Sequence, residues 1–181
     1  MANNEEDIKK LIKCVNFATI KHRNQRRKDP QQTPYINHPI GVAYILTNEA
    51  NITDLDVIQG ALLHDTVEDT KTTFEEIEEN FDAKIKELVR EVTDDKTLPS
   101  DERKRLQIVH APTCSHKAKL IKLADKLYNL RDLERATPLG WDSKRVQKYY
   151  EWSKQVVDGL RGTNANLEKE LDEIFERHDC K

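Results

Sequence analysis

The stretch that decides the fold is Ala61-Leu62-Leu63-His64-Asp65-Thr66-Val67-Glu68-Asp69, where an apolar segment meets a group of ionisable side chains. Its aliphatic residues predict a helix that enters the core. Helical spacing would bring His64 and Glu68 onto one edge of that helix, together with the other two carboxylates. Carboxylates buried so close together repel one another, and a divalent cation would relieve that repulsion. The alternative interpretation is a helix end that carries solvated acids.

A second segment, residues 120–130, repeats this combination of apolar and acidic residues. Four leucines at helical spacing predict a buried stripe. Asp125 and Asn129 lie four residues apart, so a helix would place them one above the other beside that stripe. A carboxylate in such an apolar helix favours a metal ligand over an arbitrary surface residue. The alternative is a surface ion pair of Asp125 with Lys122 or Lys126.

His38 lies in the tripeptide Asn37-His38-Pro39, where the proline predicts the start of another helix. Taken alone, a histidine at this position is more typical of a structural residue than of a ligand. Together with His64, Asp65 and Asp125 it would complete a shell of two imidazoles and two carboxylates. That donor set suits manganese, iron or zinc, and it leaves positions open for water and for a phosphate oxygen.

A dense run of positive charge, Lys21-His22-Arg23-Asn24-Gln25-Arg26-Arg27-Lys28, precedes His38. Such runs are usually solvated turns. Arginine can also hold phosphate with two hydrogen bonds and stack on a nucleobase. The closeness of the run to a candidate metal ligand favours an anion-binding loop.

The pattern along the whole chain predicts an all-α protein, a compact multi-helix bundle with no significant sheet. Apolar residues recur at helical spacing, and no segment alternates polar and apolar residues as a half-buried strand does. Thr73 and Glu76 form a capping-box pattern. The predicted helices are residues 5–21, a helix opened by Pro39, residues 55–66 behind Thr53 and Asp54, helices beginning near Thr73 and Ser100, residues 117–133, and two more after Trp141 and Thr163.

The first and last helices are both amphipathic in the sequence, so each should lay one face on the domain. The apolar face of the first is predicted from Ile8, Leu11, Ile12, Val15 and Ala18, and that of the last from Leu167, Leu171, Ile174 and Phe175.

Composition excludes several classes of protein. The 181 residues include 35% charged side chains, but the net charge of -3 does not fit a nucleic-acid binder. Three cysteines without a C-x-x-C spacing predict neither a disulfide framework nor a zinc knuckle, and they favour a reducing compartment. No segment resembles a signal peptide or could span a membrane. We therefore expect a cytoplasmic protein with no nucleic-acid and no membrane partner, while its oligomeric state stays open.

In combination, these motifs resemble the hydrolase domain of the RelA/SpoT family, within the HD superfamily of metal phosphohydrolases. The matching stretches run in order from His38-Pro39-Ile40-Gly41-Val42-Ala43 through residues 61–70 and Glu91-Val92-Thr93 to residues 121–131. A bare His-Asp pair is common, but the combination H…HD…ED…AD-x-L-x-N-x-R is specific. With no synthetase or regulatory segment, we expect a short, hydrolase-only member of the kind found in animals. The resemblance covers roughly the first helix through Arg135, and the length of 181 residues fits one domain, so we expect a single HD-type domain over residues 1–181.

The resemblance also implies a reaction and a set of site residues. The family removes the 3′-diphosphate of (p)ppGpp, which gives GDP or GTP and pyrophosphate, and it uses one Mn²⁺ ion. A small nucleotide is therefore the expected ligand. By position in the motifs, the metal ligands are His38, His64, Asp65 and Asp125, the acidic pair that activates water is Glu68 and Asp69, and the substrate-binding residues are Arg27, Lys28, Tyr35 and Asn129.

Two departures from the bacterial pattern touch the expected nucleotide pocket. Residues 29–34 form a longer loop, and Asp132 stands where bacterial members often have threonine. Other substrates therefore stay open, such as the ribose phosphate of NADPH, a cyclic nucleotide or another nucleotide. A nucleotide sensor without catalysis and a purely structural helical adaptor are further alternatives. The complete set of ligands and acidic residues favours the enzyme over both.

Overall fold

The computed structural model describes residues 2–180, with side chains from residue 5 onward, and within that range it is helical, with no sheet. An isolated bridge pairs Arg26 with Pro34. The all-α prediction is therefore confirmed. The helices are α1 Ala2–His22, α2 Asn37–Tyr44, α3 Leu55–Leu63, α4 Thr66–Asp69, α5 Phe74–Asn80, α6 Ala83–Val92, α7 Ser100–His110, α8 His116–Arg135, α9 Ser143–Asp158 and α10 Ala165–Arg177, with a π-helical turn at Ile45–Glu49 and a 3₁₀ turn at Ala111–Thr113.

Several helices begin where side-chain oxygens replace the missing backbone acceptors. Asp54 caps α3 by accepting from the N–H of Asp56, and Thr73 caps α5 by accepting from the N–H of Glu76. Both starts were predicted from the sequence. Helix α6 was not predicted as a separate element, although Asp82 caps it in the same way.

Helix α8 lies at the centre and contacts α2, α3, α6, α9 and α10. Its leucine stripe is buried, as predicted. At Gly60 of α3, an added Cβ would lie 2.7 Å from Ile121 Cδ1 and 2.8 Å from Leu88 Cδ2. The missing side chain therefore lets α3 approach α6 and α8 closely, and this places the end of α3 beside the middle of α8.

The predicted apolar face is confirmed for the last helix and only in part for the first. The four apolar residues predicted for α10 are all buried. On α1 the prediction was wrong for Ile8 and Ile12, which are 55% and 61% exposed. Ala18 is fully buried as predicted, and Cys14, which was not predicted, is fully buried as well. Helix α1 packs mainly on α3 through a face rotated away from those isoleucines.

The predicted continuous helix over residues 55–66 was also wrong, because α3 ends at Leu63. His64 Nδ1 bonds to the carbonyl of Ala61 at 2.7 Å, and the hydroxyl of Thr66 donates to the carbonyl of Leu63 at 2.7 Å. These side chains engage acceptors that the next helical turn would use. The chain turns at Asp65 and restarts as α4.

Two expectations from composition can be compared with the structure. Cys14, Cys114 and Cys180 are free thiols, as the absence of a disulfide framework predicted. Between residues 2 and 180, no helix has both the length and the apolar character needed to cross a membrane.

Candidate metal centre and active site

The four side chains predicted as metal ligands lie together, although they come from three parts of the fold. His38 is on α2, His64 and Asp65 follow α3, and Asp125 is on α8. The Nε2 atoms of the two histidines are 3.2 Å apart. Asp65 Oδ2 lies 3.4 Å and 3.1 Å from these nitrogens, and Asp125 Oδ1 lies 3.1 Å and 3.7 Å from them. Both histidines are buried.

Neighbouring groups fix the orientation of these side chains. The bond from His64 Nδ1 to a backbone carbonyl makes that nitrogen the donor, so Nε2 of the neutral ring presents a lone pair to the cluster. Tyr35 donates its hydroxyl to Asp65 Oδ2 at 2.6 Å. Asn129 donates its amide to Asp125 Oδ1 at 2.7 Å, as the four-residue spacing predicted.

The electrostatics of the cluster favour a cation. Burial opposes protonation of His64, but Asp65 and Asp125 outweigh it and raise the histidine pKa well above its ordinary value. Burial likewise opposes ionisation of the two carboxylates, yet the histidines hold the pKa of Asp65 well below its ordinary range, and Lys126 together with the histidines does the same for the pKa of Asp125. A divalent cation would replace the proton that the carboxylates otherwise attract to this site. The donor set of two nitrogens and two carboxylates therefore fits a divalent metal.

The side chains of Glu68 and Asp69 face two different cavities, although the sequence predicted that both would lie on one edge of a helix. Glu68 lies beside the cluster, where it accepts from the backbone N–H of Asp94 at 3.1 Å. Burial raises the pKa of Glu68 to about 7. Asp69 points to the other cavity and bonds to Gln25 and Lys96. Both residues are on α4, where consecutive side chains point about 100° apart, so the two carboxylates face different cavities.

The predicted substrate-binding residues line the larger cavity, whose volume is about 850 Å³. Arg27 donates to Asn129 Oδ1 at 2.9 Å and to Asp132 Oδ2 at 2.8 Å. Its guanidinium also lies over the ring of Tyr35, 5.6 Å from the centroid. Lys28 is exposed at the same cavity. The basic loop is thus joined to the metal cluster by hydrogen bonds through Asn129.

A smaller cavity of about 230 Å³ adjoins the cluster on the side of α7 and α9, and sequence reasoning missed most of its lining. Lys126 forms the ion pair that was considered for Asp125, with Nζ 3.1 Å from Oδ2, but the lysine is buried rather than on the surface. The four-residue spacing of Lys122 and Lys126 on α8 was the available signal. The residues missed here are Arg103, Lys104, Lys122, Lys126, Tyr149 and Trp152.

Comparison with known proteins identifies the family to which the chain belongs. Residues 14–150 match the family described as HD domain. A solved structure described as a metazoan ortholog of SpoT that hydrolyzes ppGpp has a TM-score of 0.93 and 58% identity, with 95% of this chain and 97% of that chain covered. A Listeria monocytogenes structure has a TM-score of 0.66 and 29% identity, covering 81% of this chain and 96% of that chain. The chain belongs to the HD-domain family, and this family and the His/Asp cluster together support a divalent metal.

Within the family, the chain is similar to short animal proteins over nearly their whole length. The guanosine-3′,5′-bis(diphosphate) 3′-pyrophosphohydrolase MESH1 of Danio rerio is 66% identical, over 91% of this chain and 92% of that protein. MESH1 of Homo sapiens is 64% identical, over 92% and 93%. The bifunctional (p)ppGpp synthase/hydrolase SpoT of Escherichia coli is 34% identical over 74% of this chain, which corresponds to 19% of that longer protein.

Proposed function

We propose that this protein hydrolyses guanosine 3′,5′-bis(diphosphate) to GDP and pyrophosphate. The observation that carries the proposal is the cluster of His38, His64, Asp65 and Asp125 beside Glu68. MESH1 proteins at 64–66% identity carry the name of this activity, which supports the same substrate here. In the reaction, the oxygen of water bonds to the phosphorus next to the ribose. The bond from that phosphorus to the 3′ oxygen breaks, and a proton passes to the 3′ oxygen.

We assign the four clustered side chains as ligands of one Mn²⁺ ion. Nitrogen and carboxylate ligands without thiolate suit manganese, which leaves iron and zinc as the ions to compare with it. Such an ion supplies Lewis-acid chemistry, which lowers the pKa of water and offsets the negative charge of phosphate oxygens. Tyr35 and Asn129 contribute by holding Asp65 and Asp125 in position.

Glu68 is the proton acceptor in this proposal. It lies in the cavity that contains the ligand cluster, and its pKa of about 7 suits a base that works near neutral pH. The N–H of Asp94 and the guanidinium of Arg103, 3.5 Å from the carboxylate, orient it. Asp69 completes the predicted acidic pair from the other cavity, where its bond to Gln25 anchors the basic loop.

Arg27 and Lys28 bind the nucleotide in the larger cavity. Arg27 is held between two aromatic rings and two hydrogen-bond acceptors, so its guanidinium is ordered before substrate arrives. Lys28 is exposed and presents a mobile positive charge to phosphate. This positioning contributes to catalysis by keeping the scissile bond beside the proton acceptor.

A panel of substrates tests the proposed reaction. The purified protein is supplied with Mn²⁺ and given ppGpp, NADPH, cyclic nucleotides and deoxynucleoside triphosphates in parallel, and pyrophosphate and phosphate are measured separately. We expect pyrophosphate from ppGpp. Release of phosphate from NADPH, without any product from ppGpp, would show that the substrate is wrong and that the active site is correctly placed. Binding of nucleotide without any product would favour the sensor.

We further propose that residues 1–181 act as one HD-type domain in the cytoplasm. The central position of α8, which contacts α2, α3, α6, α9 and α10, supports a single unit. A net charge of -3 supports a small nucleotide rather than a nucleic acid as the ligand.

A further inference from the structure

The smaller cavity holds positive charge that the surrounding side chains do not neutralise. Two of its cations, Lys104 on α7 and Lys122 on α8, have no side-chain hydrogen bond or ion pair to any residue between 5 and 180. Lys104 Nζ instead lies over the ring of Trp152, 5.1 Å from the centroid. Burial lowers the pKa of both ammonium groups. Both side chains are partly buried, and a partly buried cation without a partner is costly, so the cavity favours an anion.

The other charged groups of this cavity already have partners. Arg103 lies 3.5 Å from Glu68, and Lys126 pairs with Asp125. Asp94 accepts from Gln107 at 2.7 Å. Once a divalent ion offsets Asp65 and Asp125, the cavity has four cationic side chains and two remaining carboxylates in its lining. The excess of positive charge matches a group with about two negative charges.

The position of the smaller cavity indicates which part of the substrate carries these two negative charges. It contains the four candidate ligands, and it shares Tyr35, Asn129 and Tyr149 with the larger cavity. The larger cavity contains none of the four ligands, but two of the shared residues, Tyr35 and Asn129, bond to Asp65 and Asp125. The two cavities therefore adjoin each other beside the cluster. The smaller cavity's volume of about 230 Å³ is much smaller than the 850 Å³ of the larger cavity, so the larger cavity suits the nucleoside and the smaller one suits a phosphate group.

We propose that the smaller cavity binds the distal phosphate of the leaving diphosphate, with Lys104 and Lys122 as its cationic partners. This inference rests on the proposed function and adds the direction in which the substrate lies. The nucleoside occupies the larger cavity, the scissile phosphorus lies at the metal cluster, and the distal phosphate extends towards α7. The subsite favours substrates that release a diphosphate over those that release a single phosphate.

Binding of imidodiphosphate, an analogue of pyrophosphate that is not hydrolysed, tests the subsite without turnover. Calorimetry is performed on protein with one equivalent of Mn²⁺, with orthophosphate as the comparison ligand. We expect imidodiphosphate to bind more tightly than orthophosphate, and K104M and K122M each to weaken it about tenfold or more, the usual effect of losing a charged hydrogen bond. The matched control is K119M, because Lys119 is on α8 like Lys122 but lines neither cavity.

Kinetics supply a second readout with two substrates that differ only in the distal phosphate. K122M should lower kcat/KM for ppGpp about tenfold or more while leaving that for guanosine 5′-diphosphate 3′-monophosphate near the wild-type value. Equal losses on both substrates would overturn the subsite and make Lys122 a general electrostatic residue. Retained binding of imidodiphosphate by both K104M and K122M would overturn it as well.

These outcomes separate the subsite from the proposed function. If the wild type does not hydrolyse ppGpp but binds imidodiphosphate in a manner that depends on Lys122, the subsite stands and the assigned substrate is wrong. If the wild type hydrolyses ppGpp and K122M equals it in both experiments, the function stands and the subsite is wrong.

Discussion

At the scale of single residues, one hydrogen bond both ends a helix and orients a proposed metal ligand. The bond from His64 Nδ1 to the carbonyl of Ala61 removes an acceptor that would continue α3, and it also directs Nε2 of the same ring at His38 and the carboxylates. The turn that follows places Asp65 in the cluster and leads into α4, which carries Glu68 and Asp69. The helix break is therefore part of the site.

Replacement of Glu68 by alanine tests its role as proton acceptor. We expect E68A to lower kcat by about 10²- to 10⁴-fold, the usual contribution of a general base, and to leave the affinity for Mn²⁺ unchanged. Steady-state kinetics and metal titration provide the two measurements. The control is E87Q, at an exposed position of α6. Near-normal turnover in E68A, or loss of its metal, would contradict the assignment.

The sequence predicted the parts of the site that depend on local spacing. Asp125 and Asn129 lie on an uninterrupted helix, so their contact followed from the four-residue interval. The break after His64 did not, because it depends on side-chain bonds that compete with a strong apolar helix pattern. Arg103 and Lys104 could not be assigned either, since only the packing of α7 against the rest of the fold brings them to the cluster.

At the scale of elements, α2, α3 and α8 must approach closely for their ligands to meet, and glycine permits two of these approaches. A Cβ at Gly41 of α2 would lie 1.9 Å from the ring of Tyr128, and one at Gly60 of α3 would lie 2.7 Å from Ile121. Tyr128 packs against the ring of His38 with centroids 4.9 Å apart. The neighbours of Gly60 belong to the apolar core instead.

Replacement by alanine should therefore have different effects on Mn²⁺ binding at the two glycines. Overpacking costs about 1–3 kcal/mol, which exceeds the gain of up to about 1 kcal/mol from placing alanine in a helix, so both G41A and G60A should lower Tm. Only G41A should weaken Mn²⁺ binding, because it displaces Tyr128 from His38. Thermal melts and metal titration of both variants check this. An unchanged Tm in either variant, or equal metal affinity in both, would contradict it.

At the scale of the whole molecule, the two cavities share Tyr35, Asn129 and Tyr149 beside the ligand cluster, which supports the proposed direction of the substrate. The same cluster joins α2 and α8 with the residues that follow α3. A cation held there contributes to the stability of the fold as well as to the reaction, because a ligand that binds only the folded state stabilises it.

Removal of metal should therefore lower the thermal stability. At a free Mn²⁺ concentration 100 times its Kd the stabilisation is about 2.7 kcal/mol, and each kcal/mol corresponds to about 2–4 °C for a chain of this size. We expect Tm to fall by about 5–10 °C when chelator replaces Mn²⁺, as measured by differential scanning calorimetry. D125A is the control and should melt at the same temperature in both conditions. An equal shift in D125A would place the ion elsewhere.

The central claim is tested most directly by pyrophosphate release from ppGpp while Mn²⁺ is returned to chelator-stripped protein. For the wild type we predict no release without metal and a rise that saturates near one ion per chain. For D125A we predict no recovery at the same Mn²⁺ concentrations. Full release by the stripped wild type, or equal recovery in D125A, would contradict a metal held by His38, His64, Asp65 and Asp125.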